Sequence, residues 1–533
     1  MTTIRRLYLY LASFIGMSVA LAGASFLIRL MVEWGFDAFR GSLITSSALA
    51  AALLVAGGVT WSSYWRIAQR EASSAPDERA SGTRKLYLYG TLTLSLLGAL
   101  ILLQQELADL LVRLLDQGFS SVDKPWTPFL IAAVLGAAWR WHKQIADAER
   151  TAGADGVRGG DLRRAYWFAL AAYGVAAAAG GLMAFISGMI WRLEDRMPQP
   201  FGFFGSAPWV HILAPPLMQV LVAGLAIWMF WLPSQKAAAS ADEGERSSRL
   251  RSLLIHLFVF SAAVWALGGA QDALGDVIER LLLGARGAPL VPAIAAPLAS
   301  LTVGGLLIWY FFAQVRATLT SARPADYILT GVGLAVAGYG LQQAVAALLR
   351  VPGGRGAPIE TLIPAVLPPL LIGGAMWRWR WMRLEAELSS ADGVSARNDL
   401  WRKAYLYVFQ LAGLAMIIAG AVAILTRVIA ALLGQPFVLS PADSVMMALS
   451  DPLSLLLVGS GLMIYMMRLV AKDHRLGALS AEEAMQRTLG GAAPTWAIAA
   501  VAVVVLAPLL AVAVTALLGP AFGDLFRIIT AFG

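Results

Sequence analysis

The side chains best suited to chemistry are amides and carboxylates that close three long apolar stretches: Gln104, Gln105, Glu106 and Asp109, then Gln271, Asp272 and Asp276, then Gln342 and Gln343. Gln105-x-Leu107-x-Asp109 with Arg113 has the spacing of Asp272-x-Leu274-x-Asp276 with Arg280. Groups of this kind can line an outward vestibule or partner surface. They can equally be solvated at a membrane interface and bond between helices, which is the simpler reading. A rise of ~1.5 Å per residue from Leu86 carries Gln104 about 27 Å along a helix, to the far interface, where polarity costs little.

Other chemistry is harder to assemble. The chain has no cysteine and four histidines, His142, His211, His256 and His474, none of which pairs with another at one depth as a membrane haem would need. No metal cluster, nucleophile–base set, phosphate loop or dinucleotide fingerprint is found, so no catalytic residue, metal or cofactor is assigned and the expectation is a non-enzyme. No Asp, Glu, Lys or Arg occupies the centre of an apolar stretch, which counts against an ion-coupled pump or carrier. Gln219 and Gln410 are amides within spans that suit interhelical bonding.

The elements that must hold these residues are membrane helices. Of the 533 residues 59% are hydrophobic and 14% charged, and the mean hydropathy is +0.69, which excludes an ordinary water-soluble surface. Thirteen stretches reach the ~20 residues needed to span a bilayer. They begin near Leu7, Ser42, Leu86, Phe129, Ala165, Val210, Ser252, Pro292, Tyr327, Leu362, Ala404, Pro452 and Thr495. Most of the 41 basic residues lie before the first stretch or in every second connection, and the net charge of +8 follows that alternation. The bias places the N-terminus and the long connections in the cytoplasm and the C-terminus outside, and it argues against nucleic acid as a partner.

Repeats organise the spans. Arg5-Arg6-Leu7-Tyr8-Leu9-Tyr10 returns as Arg84-Lys85-Leu86-Tyr87-Leu88-Tyr89 and as Arg163-Arg164-Ala165-Tyr166-Trp167-Phe168, the leading tyrosines 79 residues apart each time. A second period of 238 relates Gln104-Gln105 to Gln342-Gln343, and Gly136-Ala137-Ala138-Trp139-Arg140-Trp141 to Gly374-Ala375-Met376-Trp377-Arg378-Trp379. The fold predicted is therefore all-α: six parallel two-helix repeats in two three-hairpin halves, residues 1–247 and 248–490, with a last helix and outer tail in 491–533.

Three recurring features serve packing and anchoring. The Arg/Lys and Tyr openings reach an interface, with a lipid-headgroup or partner site as the alternative. Gly-x-x-x-aromatic closes the second helix of five repeats, at Gly57 and Trp61, Gly224 and Trp228, Gly305 and Trp309, Gly373 and Trp377, and Gly461 and Tyr465, and is read as a packing notch beside an interfacial ring. Deep prolines Pro216, Pro297 and Pro369 are expected to kink helices and free carbonyls that could line a cavity.

With its Arg-Arg-x-Tyr-x-Tyr openings, tandem hairpins and Trp-rich helix ends, the chain resembles a bacterial multi-pass membrane family catalogued only as a domain of unknown function. The units opening at Arg249 and Asp326 fit least. The resemblance implies a bacterial plasma membrane and supplies no activity. Two functions are expected from the whole: a non-catalytic scaffold or accessory subunit that associates with lipids and other membrane proteins, or a channel or transporter for a lipid or weakly charged solute.

Overall fold

The computed structural model describes residues 3–35, 43–115, 127–154, 156–195, 209–240, 248–283, 290–318, 323–351, 359–388, 396–432 and 445–476. The expected span near Thr495 lies outside them. Every regular element among the described residues is helical. The helices are α1 (Thr3–Gly35), α2 (Leu43–Ser74), a short α3 (Pro76–Arg79), α4 (Gly82–Leu115), α5 (Thr127–Thr151), α6 (Gly156–Asp195) and α7 (Trp209–Ala226). A π turn (Ile227–Trp231) joins α7 to α8 (Leu232–Ala239), and α9 (Arg249–Leu283), α10 (Leu290–Thr318), α11 (Arg323–Arg350), α12 (Ile359–Leu388), α13 (Leu400–Leu432) and α14 (Val445–Arg475) follow. Eleven helices among the described residues are long and apolar enough to cross a membrane. The fourth expected span is a helix, α5, that is not one of the eleven: its apolar run stops at Trp139, and Arg140, His142 and Lys143 follow.

The chain forms two compact units, residues 1–255 and 256–533. In the first, α1 packs with α2, α4 with α5, and α6 with α7, and α4 also touches α1, α6 and α7. In the second, α11 packs with α12 and α13 with α14, while α11 also meets α13 and α14. Gly269 of α9 and Gly304 of α10 close the remaining hairpin. Within each unit, starts of first helices meet ends of second helices, so the hairpins there run parallel. We call the end that gathers these groups the basic end.

Small residues let the backbones approach. A Cβ on Gly57 would collide with the Ala20 backbone, and one on Gly373 would stand 2.5 Å from the Ala337 amide nitrogen. Gly224, Gly305 and Gly461 correct the expectation, because each faces open space. In their hairpins the notch is made by Gly174 and Gly181 of the facing helix α6, and by Gly304 and Gly459, which lie one and two residues before the expected glycine and so on another face. The deep prolines Pro216, Pro297 and Pro369 lie within helices that continue past them, and on the partner helices Gly181 and Gly269 lie against the carbonyls of Pro216 and Pro297 and Gly340 against the Pro369 ring. These proline turns therefore take part in helix packing.

Candidate functional site

The densest polar chemistry is at the basic end, where consecutive hairpins join. Arg84, at the start of α4, is 1% exposed. Its Nε donates to Glu149 Oε1 of α5 at 2.8 Å, Nη2 to Gln69 Oε1 of α2 at 2.9 Å, and Nη1 to the Tyr10 hydroxyl of α1 at 3.2 Å. Lys85, fully buried, donates to Glu149 Oε2 at 3.1 Å. The guanidinium lies 5.3 Å from the centre of the Trp65 ring, which stacks on Tyr87 with centroids 5.0 Å apart. Four helices thus converge on one cation. Desolvating a guanidinium is costly, and the charge-assisted bonds together with the aromatic face offset that cost.

The joint between the last two hairpins repeats the arrangement. Arg402 of α13, 1% exposed, donates through Nε to Asp473 Oδ2 of α14 at 2.7 Å and through Nη2 to Glu385 Oε1 of α12 at 3.1 Å. It lies 5.4 Å from the centre of the Trp381 ring, and Trp381 stacks on Tyr405. Here Nη1 has no hydrogen-bond partner among the described residues, whereas Arg84 uses the same atom on Tyr10. A third arginine, Arg251, is fully buried and donates to Gln235 at 2.7 Å, with the buried Trp231 four residues before Gln235. The platform recurs as Trp65-x-x-x-Gln69, Trp231-x-x-x-Gln235 and Trp381-x-x-x-Glu385.

A ladder of rings links the hairpins. The second tyrosine of one opening meets the first tyrosine of the next in Tyr10–Tyr87 and Tyr89–Tyr166, and Tyr327–Tyr405 matches the latter pair in the second unit. Trp61 Nε1 donates to the Tyr87 hydroxyl at 3.2 Å and Trp139 Nε1 to the Tyr166 hydroxyl at 3.0 Å. Tyr87 in turn lies 3.2 Å from His142 Nε2, and His142 Nδ1 lies 2.8 Å from the Ala138 carbonyl. A carbonyl only accepts, so Nδ1 carries the proton and Nε2 accepts from the tyrosine. His142 lies past the apolar run of α5, and burial pushes its imidazole down to about 4, which keeps it neutral.

These openings depart from the anchor expectation. Arg84, Lys85, Arg251, Arg402 and Lys403 are buried within the protein, while Tyr8 remains exposed and bonds the Tyr64 hydroxyl at 2.7 Å. Glu149, Asp473 and Glu385 lie in the long connections beyond the apolar stretches. The outgoing helices run on far enough to bury Glu149 and Asp473, and an acid 12 or 13 residues after Gly461 and Gly136 was the available signal.

The outer polar residues are spread over three helices. Gln104 of α4 accepts from the Tyr173 hydroxyl of α6 at 3.1 Å, and Gln342 of α11 donates to Ser454 of α14 at 2.8 Å. Gln105 and Asp109 are exposed on α4. On α9, Gln271 reaches its neighbour Asp272 at 3.4 Å, and Asp276 is half-buried. Gln343 is half-buried beside Gln342. Gln219 donates to the Ala177 carbonyl of α6 at 3.0 Å, as interhelical bonding would require.

The family model described as Domain of unknown function (DUF5671) matches residues 6–138, 164–311 and 323–448, so the chain belongs to that family. Each match takes in helices of two hairpins and contains one of the buried arginines, Arg84, Arg251 or Arg402. No curated protein and no solved structure matches the chain.

Proposed function

We propose that this chain is a non-catalytic scaffold or accessory subunit of a membrane assembly. The observation that carries the reading is the use of Gln104 and Gln342, the residues best placed to line an outer vestibule, as bonds between hairpins. The buried arginines are used in the same way at the other end, so the strongest polar groups of each unit are spent on cohesion. The long apolar flanks are left to meet lipid and neighbouring helices, which associate through packing and interhelical bonding.

The same proposal places the chain in a bacterial plasma membrane, with the basic end and the N-terminus in the cytoplasm and the C-terminus outside, because basic connections remain on the cytoplasmic side. Extraction from native membranes in mild detergent tests it. A stable complex with other membrane proteins is the expected result. Isolation as a lone protein that moves a solute in liposomes, with that activity lost in Gln104→Leu and Gln342→Leu, would overturn it.

A further inference from the structure

One joint keeps the geometry of the others but not their charge balance. Between the second and third hairpins, residue after residue corresponds to the closed joint at Arg402, with offsets of 237 to 239: Arg163 to Arg402, Tyr166 to Tyr405, Asp147 to Glu385, Lys143 to Trp381, and Lys236 to Asp473. Lysines thus stand where the closed joint has its aromatic platform and its principal carboxylate. Arg150 adds a further cation where the other half has the buried Leu388. The acid that remains, Asp147, is paired with Lys143. Among the described residues, the side chains of Arg150 and Lys236 are in no ion pair.

A groove of about 510 Å³ opens here. Its lining is graded along the helices. Leu92, Trp139, Trp228 and Met229 lie toward the apolar interior, while Lys143, Arg150, Arg163 and Lys236 lie toward the basic end. Trp139 precedes Arg150 by about three turns on α5, and Trp228 precedes Lys236 by about two on the α7–α8 segment. The π turn helps to shape this wall. Pro233 lacks an N–H and its ring crowds the carbonyl four residues back, and the turn before it opens so that the Leu232 amide donates to the Ile227 carbonyl. Trp228, on that turn, is 65% exposed.

We infer that this groove binds an anionic phospholipid, with the phosphate headgroup among Lys143, Arg150, Arg163 and Lys236 and an acyl chain along Trp228 and Met229. The headgroup brings negative charge beside Arg150 and Lys236. The apolar floor distinguishes a lipid from a free anion, and the groove lies at the level where interfacial tryptophans meet basic side chains. Residues 139–163, which carry Lys143, Asp147, Arg150 and Arg163, fall between two family matches, so this site belongs to the way this chain joins its copies.

The test is native mass spectrometry of the full chain titrated with phosphatidylglycerol or phosphatidylcholine. Phosphatidylglycerol should be retained at least about tenfold more tightly, and Arg150→Ala with Lys236→Ala should weaken it about tenfold or more. Arg66→Ala, an exposed cation on α2 that does not line the groove, should change nothing. Lys236→Glu, which copies the acid of the other joint, should keep the thermal unfolding temperature at or above wild type and lose the lipid. Millimolar inorganic phosphate should leave the lipid in place. Equal retention of the two lipids, unchanged retention in the double variant, or displacement by phosphate would overturn the inference.

Discussion

The joints at Arg163 and Arg402 correspond in sequence at an offset of 239 residues, yet one is an open cationic groove and the other a closed ion cluster. Both keep the tyrosine pair, Tyr89 with Tyr166 and Tyr327 with Tyr405, so the aromatic ladder does not depend on the charges. The two joints differ in their carboxylates. Where Asp473 and Glu385 flank the arginine, the side chain is sealed from solvent, and where Lys236 and Asp147 replace them, a groove remains. The Arg84 joint shows a third balance, in which neutral Gln69 replaces the rear acid and one carboxylate serves two cations.

The most severe break in this comparison is Asp473→Lys, which writes the open joint into the closed one. Arg402 would face a lysine while buried, with Glu385 left to balance both. We expect a loss of more than about 3–5 kcal/mol, seen as failure to elute as a monodisperse species in detergent. Glu149→Ala is next. It removes the carboxylate that Arg84 and Lys85 share and should cost about 3–5 kcal/mol in thermal unfolding, more than Asp473→Ala, which leaves Glu385 on Arg402.

Acid should separate the halves further. His142 has Arg380 as its counterpart, and Arg380 is ion-paired with Asp326 at 2.8 Å. With its folded pKa about 4, below the usual 6.5, His142 takes up its proton more readily in the unfolded chain. Its stabilisation is therefore complete above about pH 6.5 and falls as the pH drops toward 4, by about 3 kcal/mol in all. Unfolding temperature measured against pH should show this decline, and His142→Gln should flatten it.

The smallest contrast lies among the glycines. Gly57→Ala and Gly373→Ala should each cost about 1–3 kcal/mol because a methyl group meets backbone. Gly224→Ala, facing open space, should be neutral or gain up to about 1 kcal/mol from helix propensity. Thermal shifts of the three variants in one detergent make the comparison.

Helices, hairpins and the repeat were legible because length, hydropathy and recurring letters report them directly. α5 shows where that signal weakens, since its apolar run is short even though its hairpin forms. Which glycine packs was not legible, because hairpin register decides between Gly304 and Gly305 and no local preference separates them. The ion clusters were half visible. Arg84 and Arg163 stood out as repeats, but the acids of Arg84 and Arg402 are ordinary helix-end residues until α5 and α14 bring Glu149 and Asp473 alongside. Arg251 was placed in the unit that fits the motif least, and its burial depends on Gln235 from the preceding hairpin.

Arg84 and Arg402 are internal joints whose burial is offset by the carboxylates they meet. Unfolding in detergent of Glu149→Met, compared with the combined Arg84→Met, Lys85→Met and Glu149→Met variant, tests that most directly. The single substitution should be destabilised by about 3–5 kcal/mol, and the triple one should return close to wild type or exceed it, because the carboxylate and the two cations that share it are removed together. A single variant as stable as wild type, or a triple variant no better than the single, would contradict it.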